Sequence, residues 1–267
     1  MKKLSVRRGI GAVGARVLSS LSAAGEEIFT VADAKRVSGF KGTRLRKLLH
    51  DLAKNRWIER IERGKYILLP LETGPKAEYG THPFIIARKL AVPYYIGFSS
   101  ALNYYGITEQ VSRITYVVIT APKKSIHFHS ENFRFICLDK KRFFGMREEW
   151  IGNLKFNISS VEKTVIDCLY IPKYSGGLSE VVKAFKTKLN YSLLLEYALK
   201  MDDLAIVKRL GYLLDKLKVK SGISEKLLKR VSGGFCLLDP SGSKAGAKNK
   251  KWRVIENINV QDLAVEL

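Results

Sequence analysis

Apolar residues near the start of the chain recur at helical spacing. Ile10, Val13, Val17, Leu18 and Leu21 fall mostly on one face of a helix over residues 9–23, which Ala23-Ala24-Gly25 ends with a glycine cap. Thr30 is placed to cap a short helix running to Val37, with Ser38-Gly39 as its turn. A longer helix follows from Thr43 to Asn55, where Leu45, Leu48, Leu49 and Leu52 keep the i, i+3, i+4, i+7 spacing of a buried stripe. Two short β-rich runs then flank Arg63-Gly64, one over Trp57–Glu62 and one over Lys65–Leu69, and predict a hairpin. Three helices and a hairpin in this order predict a winged helix-turn-helix.

The pattern changes beyond the hairpin. Glu72-Thr73-Gly74-Pro75-Lys76 reads as a linker, and Pro83 and Pro93 punctuate a connecting helix. Short β-like runs appear at residues 115–120, 126–129 and 133–138, and an Ile151-Gly152-Asn153-Leu154 turn precedes another at 155–158. Helical patterns dominate residues 160–231. Two further candidate strands, 235–238 and 252–258, flank a loop from Pro240 to Lys251. Strands first and helices afterwards predict an α+β fold: a winged helix-turn-helix over residues 1–75, a linker and connecting helix over 76–93, and a larger domain over 94–267 with a mixed sheet, helices and a closing strand.

Charge gives this pattern a direction. The chain of 267 residues carries 47 Lys or Arg against 25 Asp or Glu, a net +22, and such an excess favours a polyanionic partner. Residues 1–75 hold 16 basic and 7 acidic residues, a net +9, so the second domain is basic as well. No apolar run approaches the ~18 residues of a spanning helix, so no membrane partner is expected. Met1-Lys2-Lys3 imitates a secretory leader, but Arg7, Arg8 and Arg16 break up the stretch where its apolar core would stand, and a cytoplasmic location is expected. Cys137, Cys168 and Cys236 sit far apart in apolar contexts and read as buried free thiols; no C-x-x-C pair supplies a zinc finger.

The helix from Thr43 to Asn55 carries the functional expectation. With its leucines turned inward, Thr43, Lys47, His50 and Lys54 lie on the opposite face, Arg44 and Arg46 lie on its flanks, and Lys41 precedes it. A recognition helix needs this arrangement, because Arg and Lys donate to guanine O6 and N7 in the major groove. Arg60, Arg63 and Lys65 surround the hairpin turn and are expected to reach the flanking minor groove or the DNA backbone, Arg63 and Lys65 by meeting phosphates. Lys244, Lys248, Lys250 and Lys251, in a loop too polar to order itself, are expected to form a secondary nucleic-acid contact.

Catalytic readings are weaker. His127, His129 and Glu131 alternate like a two-histidine, one-carboxylate metal set, yet read better as an exposed strand end. Asp139-Lys140-Lys141 and Glu162-Lys163 are the nearest fragments of a carboxylate-lysine nuclease, and Ser159 to Glu162 has capping-box spacing that gives Glu162 a structural job. No phosphate loop or catalytic triad has a recognisable context. The chain is therefore expected to be no enzyme and to need no cofactor or metal. The alternatives are a nuclease targeted by its winged helix, and a protein that binds nucleic acid without sequence choice.

Several stretches resemble the AbiEi-type antitoxins, the regulator half of type IV toxin–antitoxin pairs in abortive infection. They are Leu48–Tyr66, Tyr95–Thr108, Ser160–Asp167, Tyr174–Glu180 and Arg209–Asp215, in that order. Where that family often has His after the Ala-Leu pair, this chain has Tyr104-Tyr105. The resemblance implies an autorepressor that binds inverted repeats in double-stranded operator DNA through its N-terminal domain. It further implies that the second domain opposes a nucleotidyltransferase toxin without forming a stable complex with it.

Overall fold

Local capping and apolar spacing set out the first of two compact units, Met1–Leu90, and the second is Ala91–Leu267. The computed structural model describes residues 7–69, 82–110 and 112–258. In the first unit α1 (Gly11–Ala23) is followed by β1 (Ile28–Thr30), α2 (Val31–Ser38), α3 (Gly42–Lys54), β2 (Ile58–Glu62), β3 (Lys65–Leu68) and α4 (Pro83–Leu90). Thr30 starts α2 with a reciprocal cap: its hydroxyl accepts from the Asp33 N–H at 3.2 Å, and the Asp33 carboxylate accepts the Thr30 N–H at 2.9 Å. That backbone hydrogen bond holds the Asp33 carboxyl below the ordinary aspartate range. Gly39, at φ 71°, turns the chain between α2 and α3, a conformation that suits a residue without Cβ.

Leu45, Leu49 and Leu52 of α3 are buried with Val17, Leu21, Phe29, Ala34 and Ile58, while Leu48 packs half-buried at the edge of this core. Each such side chain contributes about 1.5–3 kcal/mol through the apolar surface it removes from water. The strands form an antiparallel sheet in the order β1-β3-β2, so the hairpin gains a third strand through Ile28↔Ile67. Helix α4 belongs to this unit. Its last carbonyls, on Lys89 and Leu90, accept from the Lys65 ammonium at 2.8 and 3.2 Å, and Lys89 pairs with Glu26. The helix expected to connect two domains is instead fastened to the first, and the division falls after Leu90. The expected linker at 72–76 lies outside the described residues.

The second unit is mixed α+β. Its six-stranded sheet has β4 (Tyr94–Ile96), β5 (Ile114–Ile119), β6 (Ile126–Phe128), β7 (Glu131–Cys137), β8 (Met146–Ile151) and β9 (Leu154–Ser159). Their spatial order is β6-β7-β5-β4-β9-β8, with β5–β7 and β4–β9 parallel and the other neighbours antiparallel. Helix α5 (Phe98–Tyr104) follows β4, and the helices α6 (Val161–Tyr170), α7 (Leu178–Lys183), α8 (Tyr191–Lys200), α9 (Leu204–Lys216) and α10 (Ser224–Leu228) follow the sheet. Ser160, not Ser159, caps α6 by accepting from the Lys163 N–H at 3.2 Å. Glu162 instead accepts the Asn190 N–H at 3.0 Å, at the start of α8.

The chain closes with a small sheet of β10 (Cys236–Leu237), β11 (Ala247–Asn249) and β12 (Val254–Glu256), in the order β10-β12-β11. Trp252, only 1% exposed, anchors it to α9. Its ring lies where a Cβ on Gly211 would stand, and its indole N–H donates to Asp215 at 2.7 Å. Gly211 and Asp215 are four residues apart, hence on one helical face, so the Arg209–Asp215 stretch is the seat of the closing strand. Of the cysteines, Cys168 is buried and Cys236 is intermediate. Cys137 is exposed at the end of β7, where alternation turns it away from the core, contrary to the buried-thiol expectation.

Candidate nucleic-acid interface

The first unit holds 19 of the 47 basic residues against 8 acidic ones in a third of the chain, so its cations are the densest. They concentrate on α3. Lys41, Thr43, Arg44, Arg46, Lys47, His50 and Lys54 are all exposed: Thr43, Lys47, His50 and Lys54 lie opposite the buried leucines, Arg44 and Arg46 on the flanks, and Lys41 at the N-cap. Among the described residues none of these cations has an ion-pair partner. The Arg44 guanidinium lies 3.7 Å from the centre of the Phe40 ring, which holds its plane while leaving N–H donors at its edge. Phe40 was not among the residues expected here, although an aromatic residue four positions before an Arg at a helix start is the signal that finds it.

The start of α3 differs from that of its neighbour. Lys41 occupies the N-cap position in extended conformation and gives no side-chain cap, whereas Thr30 caps α2. The first N–H groups of α3 are therefore open to an external acceptor, and the positive end of the helix dipole favours an anionic one.

The hairpin tip divides the expected wing residues. Arg60 and Arg63 are exposed, with the Arg60 Nε donating to the Glu62 carbonyl at 3.2 Å. Lys65 is drawn inward, where it pairs with Glu62 at 3.0 Å and donates to the end of α4. Its ammonium is bound to terminal helix carbonyls, and this removes it from the set available to phosphate.

The loop of residues 240–251 also departs from expectation. It is pinned rather than free: Asn257 donates to the carbonyls of Asp239 at 2.7 Å and Ser243 at 2.6 Å, and residues 247–249 pair with β12. Lys244, Lys248, Lys250 and Lys251 are exposed, but Lys251 pairs with Asp215 at 2.5 Å and Lys248 lies 5.5 Å from the centre of the Phe235 ring.

The fragments with catalytic potential are apart. His127 shares a hydrogen bond of 2.8 Å with Asn132, and His129 sits in the turn with its ring against Phe128. Among the described residues no group of three His, Cys, Asp or Glu side chains is placed to hold a metal ion. Lys163 and Asp167, both fully buried, pair along α6, and Tyr95 donates to the other carboxylate oxygen at 2.8 Å. Burial raises the Asp167 pKa against the opposing pull of Lys163. The Lys163 ammonium also faces the Phe144 ring at 4.6 Å and the Met201 sulfur at 3.6 Å. This network is sealed inside the core of the second unit and presents no reactive group to a substrate.

Among the described residues no helix is long and apolar enough to cross a membrane. No family model matches the chain, and no curated protein matches it. Among solved structures, the RV2827C protein from Mycobacterium tuberculosis is similar in fold, with a TM-score of 0.67 over 95% of this chain and 94% of that one. The two are 13% identical, so the likeness is one of fold alone.

Proposed function

We propose that the first unit is a winged helix-turn-helix that binds double-stranded DNA, with α3 as the recognition helix, and that the protein regulates transcription. The observation that carries this reading is the outward face of α3. Arg44, Arg46, Lys47 and Lys54 are exposed there together with one acidic residue, Asp51, and among the described residues none of the four cations forms an ion pair. Thr43 and His50 add hydrogen-bonding groups to the same face, and the uncapped start of α3 suits a phosphate. The sheet order β1-β3-β2 and the turn at Gly64 support Arg60 and Arg63 as backbone contacts from a wing. Lys65 is not included, because its ammonium is engaged within the unit.

The resemblance to AbiEi-type antitoxins extends the proposal to an autorepressor that opposes a nucleotidyltransferase toxin. That part rests on the resemblance alone. The decisive experiment is a gel shift with the DNA upstream of the protein's own gene, set against scrambled and RNA competitors. Operator binding that survives scrambled competitor, and falls about 5- to 150-fold in Arg44→Ala or Lys47→Ala, is the expected result. Equal affinity for operator, scrambled DNA and RNA would instead favour binding without sequence choice, through the charge spread over both units.

A further inference from the structure

We propose that β8, the outer strand of the six-stranded sheet, pairs with β8 of a second copy of this chain, forming an antiparallel dimer about a two-fold axis through Glu148. The proposal stands on the strand alone and does not depend on the DNA reading. The two edges of the sheet differ. At one end β6 has three residues, whereas β8 at the other has six. Among the described residues no strand pairs with the outer side of β8.

The hairpin fixes which backbone groups face outward. Ile151 and Leu154 close a two-residue turn at Gly152-Asn153, so they form the first hydrogen-bonded pair, and the pattern repeats at Glu149 and Arg147. The Ser160 N–H donating to the Gly145 carbonyl at 2.8 Å continues the same alternation. The N–H and C=O groups of Met146, Glu148 and Trp150 therefore point away from β9, off the edge of the sheet. A long edge of this kind is a template for a further strand unless its side chains forbid one.

Here the side chains select a register. An antiparallel copy must set outward-facing residues against outward-facing residues, which leaves three near-central alignments. Two of them place Arg147 opposite Arg147, or Glu149 opposite Glu149, at the axis. The third places Glu148 opposite itself, and then Arg147 of each copy faces Glu149 of the other. The Arg147–Glu149 ion pair of 2.6 Å already made within each copy thus meets its own reverse, and the four charges alternate. The same alignment sets Met146 against the partner's Trp150, and these two are exposed large hydrophobics, 36% and 55% respectively. Opposite charges and apolar groups directly across a pair both stabilise it. The remaining like pair at the axis is shielded within each copy: Lys155 lies 2.9 Å from Glu148 and 4.9 Å from the centre of the Trp150 ring. The Arg147–Glu149 pair within each copy softens the like-charge contacts of the other two alignments, so the register is selected by the alternating charges together with the Met146–Trp150 contact.

The test is sedimentation of the full chain, without nucleic acid, as a function of protein concentration. Wild type is expected to move from monomer to dimer as concentration rises; a monomer throughout overturns the proposal. Glu148→Pro removes one outward donor and leaves the β8–β9 ladder intact, because that N–H does not face β9. It should melt like wild type and sediment as a monomer, and a surviving dimer would show that the contact lies elsewhere. Two charge variants guard against a folding artefact. Arg147→Glu and Glu149→Arg each place like charges across the axis and should be monomeric alone. Mixed in equal amounts they restore opposite charges at both positions and should form a heterodimer. A mixture that stays monomeric refutes the register.

Discussion

Gly211 offers a sharp test of how the second unit is closed. Gly211 lies within α9, where exchanging Gly for Ala in a helix interior ordinarily stabilises by about 1 kcal/mol. Packing predicts the opposite sign. A Cβ at Gly211 would stand 2.0, 2.3 and 2.4 Å from three ring atoms of Trp252, far inside ordinary carbon–carbon contact. The obstacle is a rigid ring, buried to 1% exposure, not the tip of a flexible chain. Overpacking of this kind costs about 1–3 kcal/mol, and tilting the ring strains the indole bond to Asp215, a charged acceptor worth about 1.5–3 kcal/mol. Net of helix propensity, Gly211→Ala should destabilise by about 1.5–5 kcal/mol. For a unit of this size that lowers the melting temperature by roughly 5–15 °C. Thermal and urea melts followed by near-ultraviolet circular dichroism of the tryptophans read it directly. A variant that melts at or above the wild-type temperature refutes the argument. In a Trp252→Leu background the same change should become neutral or stabilising, and persistence of the full penalty there would mean that the ring is not its cause.

Two further outcomes depend on how cations are partnered. Lys65→Met should lower the melting temperature of the first unit while leaving the salt dependence of DNA binding unchanged, and Arg63→Ala should do the reverse, flattening the slope of log K against log salt by about one unit. If the two variants behave alike, the division between structural and contacting residues at the hairpin is wrong. Lys163→Met leaves the Asp167 carboxylate buried without its cation and should cost about 3–5 kcal/mol, part of it recovered in the Lys163→Met, Asp167→Leu double variant, where the buried Tyr95 hydroxyl still loses its acceptor. Urea denaturation of both single variants and the double checks this, and losses that add in the double variant would contradict it.

The elements legible in the sequence are those whose signal is local. Three helices and the hairpin at residues 11–68 announce themselves through apolar spacing, a Thr30 cap and glycine turns, and the structure has them in those places. Strand β1 has three residues, and its reason to exist is Ile28↔Ile67, a pairing that no local pattern encodes. The prolines at 83 and 93 suggest a connector, but α4 is positioned by carbonyls that reach Lys65 and by the Lys89–Glu26 pair, both long-range in sequence. Strand β8 is hidden for a different reason. Met146-Arg147-Glu148-Glu149-Trp150-Ile151 shows no apolar alternation, because its half-buried face carries the Arg147–Glu149 ion pair against Tyr104 and Tyr105 and its exposed face carries Met146 and Trp150. The Arg209–Asp215 stretch is recognisable as a motif, but its work of seating Trp252 is visible only once the closing strand is in place.

The net charge of +22 is itself a poor guide to function, because many of these cations are used inside the protein. Arg209 donates to the carbonyls of Leu237 at 3.0 Å and Leu169 at 2.7 Å, and Lys208 to Gly234 at 2.6 Å. Arg142 reaches the Met201 carbonyl at 2.9 Å, and Lys163 is buried against Asp167. The first three satisfy backbone carbonyls and Lys163 a buried carboxylate, which is ordinary structural duty for a long basic side chain. The cations of α3 differ in kind. They are displayed on one face of a helix whose opposite face is fixed by three buried leucines, and Phe40 holds one of them in place. A polyanion gains most from charges held in position that have no competing partner, since it then releases its counterions without first breaking an ion pair within the protein. By that criterion the α3 face outranks the hairpin, where one expected cation is already engaged, and the 240–251 loop, where Lys251 is paired.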